Sequence, residues 1–236
     1  MLTNRKKPSV WLWYMASIAL LGAGCILGSQ GYPGGFDWMY EVMSALASSK
    51  HNPDGGKWFS GGLVLGMATL FPVWNALRLE ATVYGTRWEL RWATTLAIGI
   101  ASGVVVGLER LFIYHISDSL NKAHEAIAVL SFMGLYLGTL GIAIERSRSR
   151  IDLTNRWTAC IIAGPLIAIG ASQLFLYLDQ RDLGWVDRSW RDMGIPLWLS
   201  FAFWQWIASA AIWLGLGLLL LSRNRPETRS RGEIGD

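Results

Sequence analysis

Residues 92–114 read WATTLAIGIASGVVVGLERLFIY. From Trp92 to Leu108 no residue is charged, and no polar face recurs at the 3.6-residue spacing of an amphipathic soluble helix. Coiled as a helix, the stretch reaches across a hydrocarbon core of roughly 30 Å, which takes about 20 apolar residues. Five more stretches share this character, and the predicted spans are residues 10–29, 58–79, 92–114, 122–144, 157–178 and 195–221. The expected fold class is all-α: a polytopic membrane protein with a six-transmembrane-helix bundle over residues 1–222. Residues 223–236 are polar, carry Pro226 and alternate in charge, so they are expected to form a disordered cytoplasmic tail.

Composition points the same way. Apolar residues make up 52% of the 236 and charged residues 16%, which leaves no room for a folded soluble domain beside the spans. The basic residues suggest an orientation. With a cytoplasmic N-terminus, one side holds Arg5, Lys6 and Lys7; Arg78, Arg87 and Arg91; Arg146, Arg148, Arg150 and Arg156; and Arg223, Arg225, Arg229 and Arg231. That is 14 of the 21 lysines and arginines. Basic flanks are retained in the cytoplasm during insertion, so a multi-pass inner-membrane protein with both termini cytoplasmic is expected. No segment interleaves bases with stacking aromatics, and no nucleic-acid partner is expected. Arg5–Lys7 before an apolar run resembles a signal peptide, but the run is too long for one and carries Trp11, Trp13 and Tyr14, which suit a retained anchor.

Cys25 and Cys160 fall at opposite expected depths, which argues against a bridge, and two cysteines supply no metal framework. The chain is tryptophan-rich, with 14. Trp11, Trp13, Trp58, Trp74, Trp88, Trp92, Trp157 and Trp198 lie near predicted span ends, as in an aromatic belt. Trp204, Trp206 and Trp213 lie deeper, where core packing and the wall of a lipid or quinone groove are both open readings. Gly99, Gly103 and Gly107, with Gly62–Gly66 and Gly134–Gly138, stand four apart. Such stripes let helices approach closely, inside one bundle or between copies in a homo-oligomer.

The longest connection is 30–57, expected on the outer side. Gly31–Gly35 is a turn cluster, Trp38–Ser49 reads as a short interfacial or re-entrant helix, and His51–Gly56 closes it with turn chemistry. The 179–194 connection, with four aspartates and three arginines, is expected to form a small cap.

Ionisable residues gather at this outer level. Glu109 and Arg110 close the third span, Tyr114, His115 and Asp118 follow, and His124 and Glu125 open the fourth. Asp37, Glu41, Ser44, His51 and Asp54 come from the long loop. Ionisable groups in spans are costly, so each raises a functional hypothesis. Three readings are open. One is structural, with Glu109 paired to a base and His124 pinning the loop. The second is a pocket for a lipid headgroup or other amphiphile, with Arg110 and Lys122 facing phosphate. The third is a membrane-surface hydrolase in which His51, His115, His124 and an aspartate hold zinc. The sequence has no His-Glu-x-x-His pair, nucleophile elbow or phosphate loop. The inner halves of the spans read as almost free of charge, with Gln173 and Gln205 as polar breaks in the last two.

Several short motifs carry a resemblance: Ser44-Ala45-Leu46, the Asn52-Pro53 turn, the glycine-bearing second span Gly61–Gly66, the acidic end of the third span, and His124 leading to Ser131-Phe132. Over roughly residues 10–145 the chain resembles the prokaryotic six-span family catalogued as domain of unknown function 998. More distantly it is similar to the damage-regulated autophagy modulator group. The resemblance implies a six-helix bundle and the importance of Ser44, Asn52 and His124; Ala47 stands where the pattern usually has glycine. A looser similarity is to the alkaline-ceramidase and adiponectin-receptor superfamily, whose Ser, Asp and His residues bind zinc, although no histidine follows His124 here. The expected function is binding without catalysis, through Ser44, His51, Asn52, Glu109, Arg110, His115, Asp118, His124 and Glu125. No cofactor or metal is expected, and the partners are membrane lipids, another membrane protein or a second copy. The alternative is the ceramidase-like, zinc-assisted hydrolase acting on a lipid.

Overall fold

The computed structural model describes residues 9–48, 50–113, 120–149, 153–181 and 194–222, with residues 120–122 and 180 described by backbone alone. His115, Asp118, the Lys122 side chain, most of the 179–194 connection and the 223–236 tail lie outside the described residues. The helices are α1 Val10–Gln30, α2 Met43–Ala47, α3 Gly56–Ala68, α4 Phe71–Tyr84, α5 Arg87–Phe112, α6 Leu120–Ser149, α7 Leu153–Gln180 and α8 Phe201–Leu221. No strand forms among the described residues. Six helical stretches, with α3 and α4 counted as one, are long and apolar enough to cross a membrane. The protein is an all-α, multi-pass bundle, as the hydropathy pattern predicts.

The second span is broken at Thr69-Leu70. Pro72 has no N–H, and its ring clashes with the carbonyl four residues back. The chain tightens, so the Leu70 N–H bonds to the Met67 carbonyl rather than to that of Gly66. A carbonyl released inside a bilayer needs a new partner. The buried Ser17 hydroxyl of α1 donates to Gly66, and the Thr69 hydroxyl does so from within the break.

The glycine stripes pack inside the chain. A Cβ on Gly62 of α3 would lie 2.7 Å from the Gly24 Cα of α1, and one on Gly134 of α6 would lie 2.6 Å from the Gly99 Cα of α5. Gly107 meets α3 at Ser60 and Val64. α5 is therefore central, with Ala93, Leu96 and Ile100 buried, whereas α7 turns Trp157, Ile167 and Leu174 outward. Cys25 and Cys160 are free thiols.

One end of the bundle carries α2. The other carries buried charge that sequence inspection did not anticipate. α6 runs to Ser149, beyond the expected span end at 144, and this brings Arg146 into the core with no exposed surface. Its Nε donates to Glu89 Oε1 of α5 at 2.7 Å, Nη2 lies 3.2 Å from Glu80 Oε2 of α4, and Nη1 donates to the Leu219 carbonyl of α8 at 3.1 Å. Thr86 caps α5 by accepting the Glu89 N–H and donates its own hydroxyl to Glu145. One guanidinium thus ties four helices together.

Candidate functional site

At the α2 end the short connection from α5 to α6 places the last turn of one helix beside the first turn of the other. Glu109, Arg110 and His124 meet there. His124 Nδ1 lies 2.6 Å from Glu109 Oε2, and Arg110 Nε donates to His124 Nε2 at 3.1 Å. An arginine can only donate, so Nε2 must accept; the ring proton then sits on Nδ1 and is given to the carboxylate. The imidazole is a neutral spacer between opposite charges, whose direct separation is 3.7 Å. Glu109 and His124 are more than nine-tenths buried, and Glu109 Oε1 has no hydrogen-bond partner among the described residues. Both imidazole nitrogens are engaged, so coordination of a metal by His124 would displace Glu109 or Arg110. Among the described residues no three His, Cys, Asp or Glu side chains are grouped to hold a metal ion. Glu125 is exposed.

The long connection packs against α8 and α1 rather than descending over α5 and α6. Gly34 and Gly35 adopt φ of +79° and +88°, which favours glycine, and turn the chain back. The expected helix over Trp38–Ser49 shrinks to Met43–Ala47. Asp37 explains the loss: its carboxylate takes the Met39 N–H while Glu41 takes the Asp37 N–H, so side chains compete for the donors a helix would use. Burial, then the neighbouring Glu41 carboxylate, push the Tyr32 phenol above its ordinary pKa. Three bonds strap residues 39–43 to α8. The Ser200 hydroxyl donates to the Met39 carbonyl, the Trp206 indole to the Glu41 carbonyl at 3.2 Å, and the Met43 N–H to Gln205 Oε1 at 3.0 Å.

Asn52 stitches the connection to α1. It is fully buried, its amide donates to the Gly28 and Leu46 carbonyls at 2.9 Å each, and its oxygen accepts the Gly55 N–H at 3.0 Å. Every one of these partners is backbone, and Asn52 lines neither cavity described here. His51 is exposed; its N–H meets the Ser48 hydroxyl.

Beneath α2 lies a cavity of about 140 Å³ between α1, α3, α5, α6 and α8. Its wall is mainly apolar, including Leu63, Met67, Val106, Phe132, Ile212 and Trp213. Of the described residues, five polar ones line it: Ser44, His124, Ser131, Gln205 and Ser209. Ser131 has given its hydroxyl proton to the Gly99 carbonyl, and Ser209 its own to the Gln205 carbonyl. Ser44 is exposed and marks the mouth. A wider, shallower groove of about 340 Å³ runs outside the strap, along Cys25, Phe36, Trp38, Leu46 and Trp206.

The structure therefore brings Glu109, Arg110 and His124 together, sets Ser44 at the mouth of the cavity beside them, and leaves His51, Asn52 and Glu125 away from its wall. Gln205 and Ser209 were missed. The signal for Gln205 was its standing as a polar break in an apolar span. Of the deep tryptophans, Trp213 lines the cavity, Trp206 holds the strap and lines the groove, and Trp204 donates to the Trp198 carbonyl. No family model matches the chain, and no curated protein or solved structure matches it.

Proposed function

We propose that this protein binds the apolar part of an amphiphile in the cavity under α2, without catalysis. The cavity itself carries the reading: an apolar chamber with a few convergent polar groups is the usual form of a small-molecule site. Its volume is close to that of an engineered 150 Å³ cavity that takes benzene, so it suits one ring or a short chain segment. The Glu109–His124–Arg110 cluster closes one wall as a charge-balanced plug. The α2 end is extracytoplasmic in this proposal, with both termini cytoplasmic in an inner membrane, because the basic residues concentrate at the other end.

The direct test is organic extraction of purified wild type and of Ala128→Phe, which fills the cavity from α6. Mass spectrometry should find an amphiphile at near one per chain in the wild-type extract and depleted in the variant. Identical extracts from two folded proteins would overturn the binding reading. Cleavage products rather than an intact amphiphile would favour the hydrolase.

A further inference from the structure

We infer that the cavity selects an uncharged ligand bearing a carbonyl-type acceptor oxygen, and that Gln205 is the residue that reads it. This rests on the binding reading above and adds the chemistry of the ligand's polar end.

The orientation of the Gln205 amide decides the matter. Its Oε1 accepts the Met43 N–H at 3.0 Å, and a backbone N–H cannot accept, so the amide cannot be turned the other way round. Nε2 is left with two N–H donors and makes no hydrogen bond to the described residues beyond the strap. Gln205 lines the cavity, so these donors serve a bound molecule. The Ser44 hydroxyl at the mouth is also without a hydrogen-bond partner among the described residues, and it can rotate to donate.

Of the other polar groups that the described residues set on the wall, none has a proton left to donate, although the Ser131 and Ser209 oxygens can still accept. Ser131 and Ser209 have donated their protons to helix carbonyls, and both His124 nitrogens are engaged. The donors that remain call for an acceptor on the ligand. A purely apolar ligand would strand the Gln205 N–H groups, and burying amide donors without a partner is costly.

Charge is the second constraint. Among the described residues, the charges beside the cavity's His124, Glu109 and Arg110, already face each other across a neutral imidazole. Among the described residues no uncommitted charge lines the wall to meet an ammonium or a phosphate, and an unpaired charge in such surroundings is strongly disfavoured. The ligand end held here is a ketone, ester or quinone oxygen on a body about the size of one ring.

The test uses the full chain in lipid nanodiscs, with empty nanodiscs correcting for partition into lipid. Fluorobenzene serves as the reporter, observed by fluorine NMR, and is displaced by acetophenone, by ethylbenzene or by benzoate. The first two are near-isosteric and differ by a carbonyl oxygen against a methylene. Wild type should favour acetophenone roughly five- to tenfold, the worth of about one neutral hydrogen bond. Benzoate, with the acceptor but also a charge, should displace at least about tenfold less well than acetophenone, from the same burial cost. Gln205→Met should lose the preference, read as the ratio of its acetophenone to its ethylbenzene affinity, whatever the loss of the Met43 bond does to both. Equal displacement by acetophenone and ethylbenzene in wild type, or a preference that survives in Gln205→Met, overturns the role of Gln205 and leaves the binding reading intact. Benzoate matching acetophenone overturns the neutrality requirement. If fluorobenzene does not bind saturably to wild type at all, the binding reading fails, and this inference with it.

Discussion

Arg146→Met is the most exacting test of how the bundle is held. The guanidinium bonds to Glu89 at 2.7 Å, lies 3.2 Å from Glu80, and caps the Leu219 carbonyl at 3.1 Å, all without exposed surface. Methionine keeps much of the stem volume and removes the charge. Two carboxylates then remain in a space that excludes water. Breaking a buried ion pair by deleting one partner costs about 3–5 kcal/mol, and here one deletion disturbs two pairs and a carbonyl, so the upper end, about 5 kcal/mol, is expected. Against a total stability of about 5–15 kcal/mol this is a severe loss. The triple variant Glu80→Gln, Glu89→Gln, Arg146→Met carries no charge to strand and should recover to within about 1–2 kcal/mol of wild type. Glu80→Gln alone leaves one cation facing one carboxylate and should cost least, whereas Glu89→Gln removes the shorter contact and should cost more. Unfolding in mixed micelles titrated with dodecyl sulfate, followed by circular dichroism, measures all four. An Arg146→Met curve lying on that of wild type would refute the reasoning, and so would a triple variant as unstable as the single one.

Other perturbations follow from the same geometry. His124→Ala removes a charge-assisted hydrogen bond to Glu109 and one from Arg110, and should lower stability by about 2–3 kcal/mol in the same titration. Asn52→Asp should be worse than Asn52→Ala, because a carboxylate would face the Gly28 and Leu46 carbonyls that now receive N–H bonds; the alanine variant is expected to cost about 2–3 kcal/mol by thermal unfolding. Gly134→Val has no room against the Gly99 Cα and should force α5 and α6 apart at a cost of about 1–3 kcal/mol, whereas Gly170→Ala, with open space around it, should be silent in the same melt.

What could be read from the sequence divides by range. The six spans were legible because hydropathy is a local property, and most of the helices extend a few residues beyond the apolar runs since a helix does not stop where its charges begin; the sixth, expected from residue 195, instead starts at Phe201, after Pro196 and a short 3-10 turn, where Ser200 caps it. The meeting of Glu109, Arg110 and His124 was legible because one short connection fixes it. The Arg146 cluster was not. Counting basic residues treats each as solvated, and Arg146 looks like one more member of a cytoplasmic block; its partner Glu89 lies 57 residues away on another helix. A local hint existed in Glu80, the single acid of α4. The break at Thr69-Leu70 also had a signal, Pro72, whose missing N–H forbids a regular helix. The strap from α2 to α8 had none, since two of its three bonds end on backbone carbonyls of the connection, a class of partner that no side-chain pattern reveals.

The placement of charge on α5 and α6 bears on function as well as stability. Glu89 and Glu109 are twenty residues apart on α5, about 30 Å at 1.5 Å per residue, and His124 and Arg146 on α6 are about 33 Å apart. Both distances match the thickness of a hydrocarbon core, roughly 30 Å. The two helices are therefore pinned to each other at both ends of the core, Glu109 to His124 and Glu89 to Arg146, with the Gly99–Gly134 contact between. Between Arg91 and Glu109 on α5, and between Glu125 and Glu145 on α6, there is no Asp, Glu, His, Lys or Arg. A proton or ion carried along this pair would find no carboxylate, imidazole or basic side chain between one cluster and the other, where intramembrane relays rely on such groups. The clusters act as two locks on a rigid pair, and the cavity opens beside only one of them, under α2. This arrangement is what the proposed binding role would use: a chamber under α2, set against a wall locked at both ends, would hold a molecule in place.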